Sequence, residues 1–414
     1  MSAILEAVSP SRLGAPFRRL LASSWISNIG DGIALAAGPL LIAALTRDPF
    51  LVALAPTLRL LPWLLFGLYA GVLADRHDRR TLMLAALVLR LVAGLVLIGA
   101  IATGHVTIGL VLVLIFLAGA AESVGDTAGS TVVPMLVRSE DIGVANARLL
   151  AGHTTLNQLV GPPIGAFLFT VGMIWPFGVE AVGLVLASVI LAGVRLPPHG
   201  QAKEDRSHAA RDIAEGFLWL WRHGPVRTLA IVIFTFNITW SAAWAVLVLY
   251  AQDRLGMTEV GFGLLTTAGA VGGLGATFAY DRLERRFSVA SIMKACLLAE
   301  VCMHLLFALA TEPWQGMAIM VFFGFYAYIW WTISMTVRQR AVPERFQGRV
   351  SSVYLVGVFG GMVVGSFIGG LIARQWGVVA PMWFAFFGTA LILAAIWRML
   401  PLIADARAEE AAGE

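Results

Sequence analysis

Apolar stretches of bilayer-crossing length recur along nearly all of the 414 residues. A crossing needs roughly 20 predominantly apolar residues to traverse about 30 Å of hydrocarbon. Backbone groups find no water there, so only helices or closed barrels can cross. Barrel strands would alternate apolar and polar residues over roughly ten positions. Here the runs are continuous and rich in Leu and Ala, which selects helices. Spans are expected at 20–45, 50–74, 81–103, 106–137, 149–171 and 172–194, and again at 226–250, 260–280, 288–310, 313–337, 350–372 and 378–400. The composition of 59% hydrophobic and 13% charged residues lies outside the soluble range of roughly 45–50% apolar and about 25% charged. The first apolar stretch is too long for a secretory h-region, and no small-residue cleavage site follows it.

The formal charge of +4 is not a nucleic-acid signal, because the basic residues sit between spans. With the N-terminus inside, the inner segments collect Arg12, Arg18, Arg19, Arg76, Arg79, Arg80, Arg138, Arg148, Arg282, Arg285, Arg286, Arg338, Arg340, Arg345 and Arg349. The outer loops keep Arg47, Arg254 and Arg374. The bias places both termini in the cytoplasm. Cys296 and Cys302 fall in one expected helix and imply no disulfide framework. No metal-ligand cluster and no phosphate-binding loop of the G-x-x-x-x-G-K-[S/T] type is present, so no cofactor is expected and nothing supports an enzyme.

Three segments are expected: an N-terminal six-helix bundle over 1–196, a linker over 197–225, and a C-terminal six-helix bundle over 226–414. The linker opens polar and turns amphipathic across Ile213, Phe217, Leu218, Trp219, Leu220 and Trp221, with charges at Arg211, Asp212, Glu215 and Arg222. That pattern predicts a short helix on the inner membrane face. An internal repeat joins the two halves. Asp75-Arg76-His77-Asp78-Arg79-Arg80 follows span two, and Asp281-Arg282-Leu283-Glu284-Arg285-Arg286 follows span eight. Gly161-Pro162-Pro163-Ile164-Gly165 in span five is matched by Gly365-Ser366-Phe367-Ile368-Gly369 in span eleven. Repeated halves with a site at their interface are a recurring transporter design.

The run Gly71-Val72-Leu73-Ala74-Asp75-Arg76-His77-Asp78-Arg79-Arg80 resembles the loop motif G-x-L-x-D-R-x-G-R-[K/R] of the major facilitator superfamily. Asp78 stands at its second glycine, a departure associated with the enterobactin-exporter-like and macrolide-efflux-like branch. Ser27-Asn28-Ile29-Gly30-Asp31, Val144-Ala145-Asn146-Ala147-Arg148 and Val342-Pro343-Glu344 fit the same branch. The resemblance implies an all-α integral membrane fold of twelve transmembrane helices in two pseudo-symmetric six-helix bundles, with spans one, four, seven and ten around a cavity. It also implies that Gly71, Asp75, Arg76, Arg79 and Arg80, with Asp126 and the second copy Asp281, Arg282, Arg285 and Arg286, gate the inner side. Simple charge anchoring would explain the arginines but not Asp75 or Gly71. Gly161, Pro162, Pro163 and Gly165 resemble an antiporter motif, which favours export; close helix packing is the plainer reading.

Charge within a bilayer costs several kcal/mol, roughly, so each instance calls for an explanation. Asp31 shares a helix face with Asn28 and Ser24. It is a candidate for a proton or a cationic substrate group, or else for an ion pair with Arg59 or Arg90. Glu122 and Asp126, four apart, also share a face, and two carboxylates that close resist joint ionisation. Glu122 is the coupling candidate; Asp126 is expected to pair with Arg79. Asn237, Trp240 and Trp244 on span seven, and Tyr326 and Trp330 on span ten, are candidates for stacking on a flat or cationic ligand. They equally suit helix packing. Glu180, Glu300, His153 and His304 read as packed polar residues.

These residues together point to a proton-coupled exporter of small hydrophobic or amphipathic compounds, such as drugs, siderophores or macrolides, in a bacterial cytoplasmic membrane. Its partners would be substrate, protons and lipid, with the chain a monomer. An importer or uncoupled facilitator, and a non-transporting scaffold or sensor, are the alternatives.

Overall fold

The computed structural model describes residues 10–196 and 209–406, and no strand occurs among them. The chain forms helices α1 (Gly14–Leu45), α2 (Pro49–Arg76), α3 (Arg79–Ala102) and α4 (Ile108–Ser130). Helix α5 is continuous through Ile142–Gly152, a π-helical stretch His153–Val160 and Gly161–Val171, and α6 is Trp175–Ala192. A linker helix, Ala209–Arg222, leads into α7 (Gly224–Trp244), α8 (Glu259–Arg286), α9 (Val289–Leu309), α10 (Pro313–Ala341), α11 (Glu344–Trp376) and α12 (Ala380–Ile396). Among the described residues, ten helices are long and apolar enough to cross a membrane, and Ala380–Ile396 is a shorter apolar one.

Local chemistry sets the helix ends. Asp78 accepts from the Thr81 amide at 2.9 Å and caps α3, and Ser288 caps α9 through the Ser291 amide. Proline opens α6, α7, α10 and α12 within the first turn, where its missing N–H costs nothing. The expected fourth span, 106–137, is shorter than read. Helix α4 stops at Ser130 and a separate turn, Val133–Leu136, follows. Pro134 explains the break, since its ring clashes with the carbonyl four residues back.

The chain divides into two compact units. One takes the chain up to Thr46, Leu58 onward through α6, and Thr258–Thr267; the other takes Arg47–Thr57, the linker helix through Met257, and Ala268 onward.

Within the first unit, α1 packs closely on α5: a methyl group on Gly161 would meet the Gly32 backbone at 2.5 Å, and one on Gly165 would overlap the Ile33 carbonyl. Within the second, Gly365 and Gly369 of α11 bear on the carbonyls of Ile238 and Ala242 of α7. The repeated glycine motif is thus one helix approach made twice. The linker helix is pinned to the start of α11. Glu215 accepts from Arg349 at 2.6 Å, Trp219 stacks on Phe346 at 5.7 Å, and Leu220 is buried beside Val342 and Val350. Phe217, Leu218 and Trp221 remain exposed. The side chains of Arg211, Asp212 and Ile213 lie outside the described residues.

Candidate functional site

The first unit holds a partly buried charge network contributed by five helices. Arg90 of α3 pairs with the carboxylate of Asp31 on α1, and its same nitrogen lies 3.5 Å from Glu180 Oε1 on α6. All three side chains are less than a fifth exposed. Ser27 Oγ donates to the second Asp31 oxygen at 3.4 Å. Gly30 permits this assembly: a Cβ there would stand 3.3 Å from Glu180 Cγ. Beside it, Arg59 of α2 makes a forked contact with Glu122 of α4, Nε to Oε2 at 3.3 Å and Nη2 to Oε1 at 3.1 Å. The planar guanidinium suits this two-point grip on a carboxylate.

A neutral polar chain adjoins the charges. Asn28 Nδ2 donates to the Ser24 carbonyl at 2.8 Å, and Asn28 Oδ1 lies 3.2 Å from His153 Nδ1. His153 Nε2 lies 3.3 Å from Gln158 Nε2. The Asn28 oxygen can only accept, so this geometry assigns the proton of a neutral His153 to Nδ1 and leaves Nε2 as acceptor. His153 and Gln158 sit on the π-helical stretch of α5, a deviation that recurs at functional sites.

Three carboxyls, those of Asp31, Glu122 and Glu180, therefore share two guanidinium groups. Asp126 is exposed and makes no hydrogen bond or ion pair among the described residues. The expected Asp126–Arg79 pair is not formed. Arg79 instead donates to Met135 Sδ at 2.8 Å, and its Nε is buried without a partner. Arg80 donates to the Ala192 carbonyl. Arg76 is exposed, and the side chain of Asp75 lies outside the described residues. In the second copy, Asp281, Arg282, Arg285 and Arg286 are exposed, and Arg282 bonds the Phe278 carbonyl of its own helix.

The second unit carries the aromatic candidates, and they separate. Trp240 and Trp244 stack at 4.9 Å and meet Phe323 at 6.2 and 4.8 Å. The Trp240 indole nitrogen is buried and unpaired. Tyr326 is not an open platform: its hydroxyl donates to Glu300 at 2.7 Å, and Glu300 meets His304 at 3.2 Å, all three buried. Asn237 spends its amide on the Ile233 carbonyl, and Trp330 is half-buried without a ring partner among the described residues.

The sequence reading weighed Glu180 only as a weaker candidate, a packed residue of a supporting helix, and His153 as a lone histidine; the structure brings both into these networks. The available signal was Gly30 beside Asp31, which lets a neighbouring helix bring a carboxylate close.

A body of helices long and apolar enough to cross a membrane, with ionisable side chains gathered inside it, fits a transporter of the major facilitator type. The chain belongs to the family described as transmembrane secretion effector, whose model matches residues 6–412. It is 26% identical over 361 residues to the enterobactin exporter EntS of Shigella boydii serotype 4, covering 86% of this chain and 85% of that one. EntS of Escherichia coli O1:K1 matches to the same extent. The nucleoside transporter NupG superposes with a TM-score of 0.74 at 11% identity, covering 95% of this chain and all of that one. A bacterial homologue of the iron transporter ferroportin gives 0.73 at 16% identity over 94% of this chain and 98% of that one. The protein is a multi-pass membrane transporter, not an enzyme.

Proposed function

We propose that the chain is a proton-coupled exporter of small amphipathic compounds in a bacterial cytoplasmic membrane, with both termini inside. The observation that carries the reading is Arg90 held between Asp31 and Glu180, with Arg59 gripping Glu122 alongside. Three carboxyls on two guanidinium groups leave an acid excess in a low-dielectric setting. Uncompensated carboxylates are costly there, so protons or a cationic substrate group supply the balance. A proton arriving on Asp31 or Glu180 frees Arg90 to turn to the other, and loss of that proton restores the pair. Exchange of substrate for proton then needs no further machinery.

Kinship with enterobactin exporters supports outward movement, and the Trp240–Trp244–Phe323 group supports a substrate with a flat aromatic part. The loop motif at Gly71–Arg80 is proposed to lock the inner side in the alternate state, where Asp126 becomes its partner.

The test uses membrane vesicles under an imposed pH gradient and, separately, under a substrate gradient alone. Asp31→Asn, Glu122→Gln and Glu180→Gln keep the side-chain shapes but cannot ionise. At least one is expected to abolish uphill export while sparing downhill movement. Uphill export by all three would remove proton coupling from this site.

A further inference from the structure

Where α1 begins and α6 ends, the first unit holds a cavity of about 610 Å³, bounded by the first turn of α1, the last residues of α6, and Arg19, Arg80 and Arg195. No acidic residue is among its lining. Arg19 donates to the Gly193 carbonyl at 2.7 Å, and Arg80 to that of Ala192. These bonds satisfy the end of α6, whose partial negative charge also favours cations. They also fix the two guanidinium groups in place. Each has five N–H donors, so one bond apiece leaves most of them unused. Arg80 Nε is buried with no partner, and Arg195 has none among the described residues. The first turn of α1 adds the positive end of a helix whose N-cap, Leu13, offers no side-chain acceptor. The scaffold is firm, since Leu13, Phe17, Leu191 and Val194 are buried together beside the cavity.

Three like charges lining one cavity, two of them held by backbone carbonyls, repel one another, and an anion with several oxygen acceptors relieves that repulsion. Guanidinium groups match phosphate oxygens in a forked geometry. The cavity sits at the ends of membrane-crossing helices, the level at which lipid headgroups lie. We propose that it binds the phosphate of an anionic phospholipid in the leaflet on the side where α1 begins. Binding is independent of the coupling reading; only naming that leaflet as the inner one rests on the proposed topology.

The experiment is native mass spectrometry of the purified full chain released from micelles containing phosphatidylglycerol or phosphatidylcholine. The wild type is expected to retain one phosphatidylglycerol in preference to phosphatidylcholine. Arg195→Gln should weaken that retention roughly fivefold, and adding Arg19→Gln should weaken it by a similar factor again, with Arg195→Lys close to wild type. Arg195 follows the end of α6 and is exposed, so its single variant keeps the test alive if the double variant aggregates. Equal retention by wild type and Arg195→Gln, or no preference over phosphatidylcholine, overturns the proposal. Displacement of the lipid by millimolar inorganic phosphate would overturn the lipid assignment in favour of free phosphate.

Discussion

Arg90 is the residue on which most of the internal charge depends, because Asp31 and Glu180 meet it from two different helices. Removing one partner of a buried ion pair strands the other, at a cost of about 3–5 kcal/mol. Arg90→Ala strands two carboxylates and is expected to lower the melting temperature in detergent well below wild type. Arg59→Ala should cost less, because the Arg59 and Glu122 side chains are 40% and 27% exposed and water screens them. Melting curves of the two variants decide the matter, and an equal loss would mean that Arg90 is no better shielded than Arg59. Asp31 and Glu122 were legible in the sequence as charges inside apolar runs. Their partners were legible only as alternatives, since depth along a helix narrows the choice and rotation about its axis makes it.

At the scale of helices, the repeated glycine motif has a mechanical meaning. Gly165 and Gly369 each touch a backbone carbonyl of the helix they cross, so side chains there force the helices apart. Small residues of this kind let membrane helices approach closely. Gly165→Val and Gly369→Val are each expected to destabilise by about 1–3 kcal/mol through overpacking. Gly94→Ala meets no atom within 4 Å and should instead stabilise α3 by about 0.5–1 kcal/mol. Unfolding in detergent measures both, and a neutral Gly165→Val would show that α1 and α5 can separate freely. The linker helix was equally readable from its amphipathic pattern. Its seat on the start of α11, through Glu215 and Arg349, joins residues more than a hundred positions apart and left no local sign.

For the whole molecule, the arginine distribution argues for both termini inside. On a background with Cys296 and Cys302 replaced by Ser, Thr311→Cys in the α9–α10 loop should react with a membrane-impermeant maleimide applied to intact cells. Arg285→Cys at the end of α8 should react only after permeabilisation. The reverse pattern would invert the topology. Continuous apolar runs of crossing length were enough to establish the helical membrane class, because a bilayer penalises every alternative along each segment separately; the family was legible only through the motif at Gly71–Arg80 and its companions. The sequence also disclosed which residues are chemically unusual, since any charge in an apolar run stands out. It did not disclose that Glu180 joins Asp31 on Arg90, that His153 bridges Asn28 and Gln158, that Tyr326 is spent on Glu300, or that Arg79 turns to Met135 rather than Asp126. Those outcomes depend on how each helix is rotated and how closely it approaches its neighbours. Rotation and approach are set by side-chain packing summed over whole helices, a property that appears only once the chain is assembled.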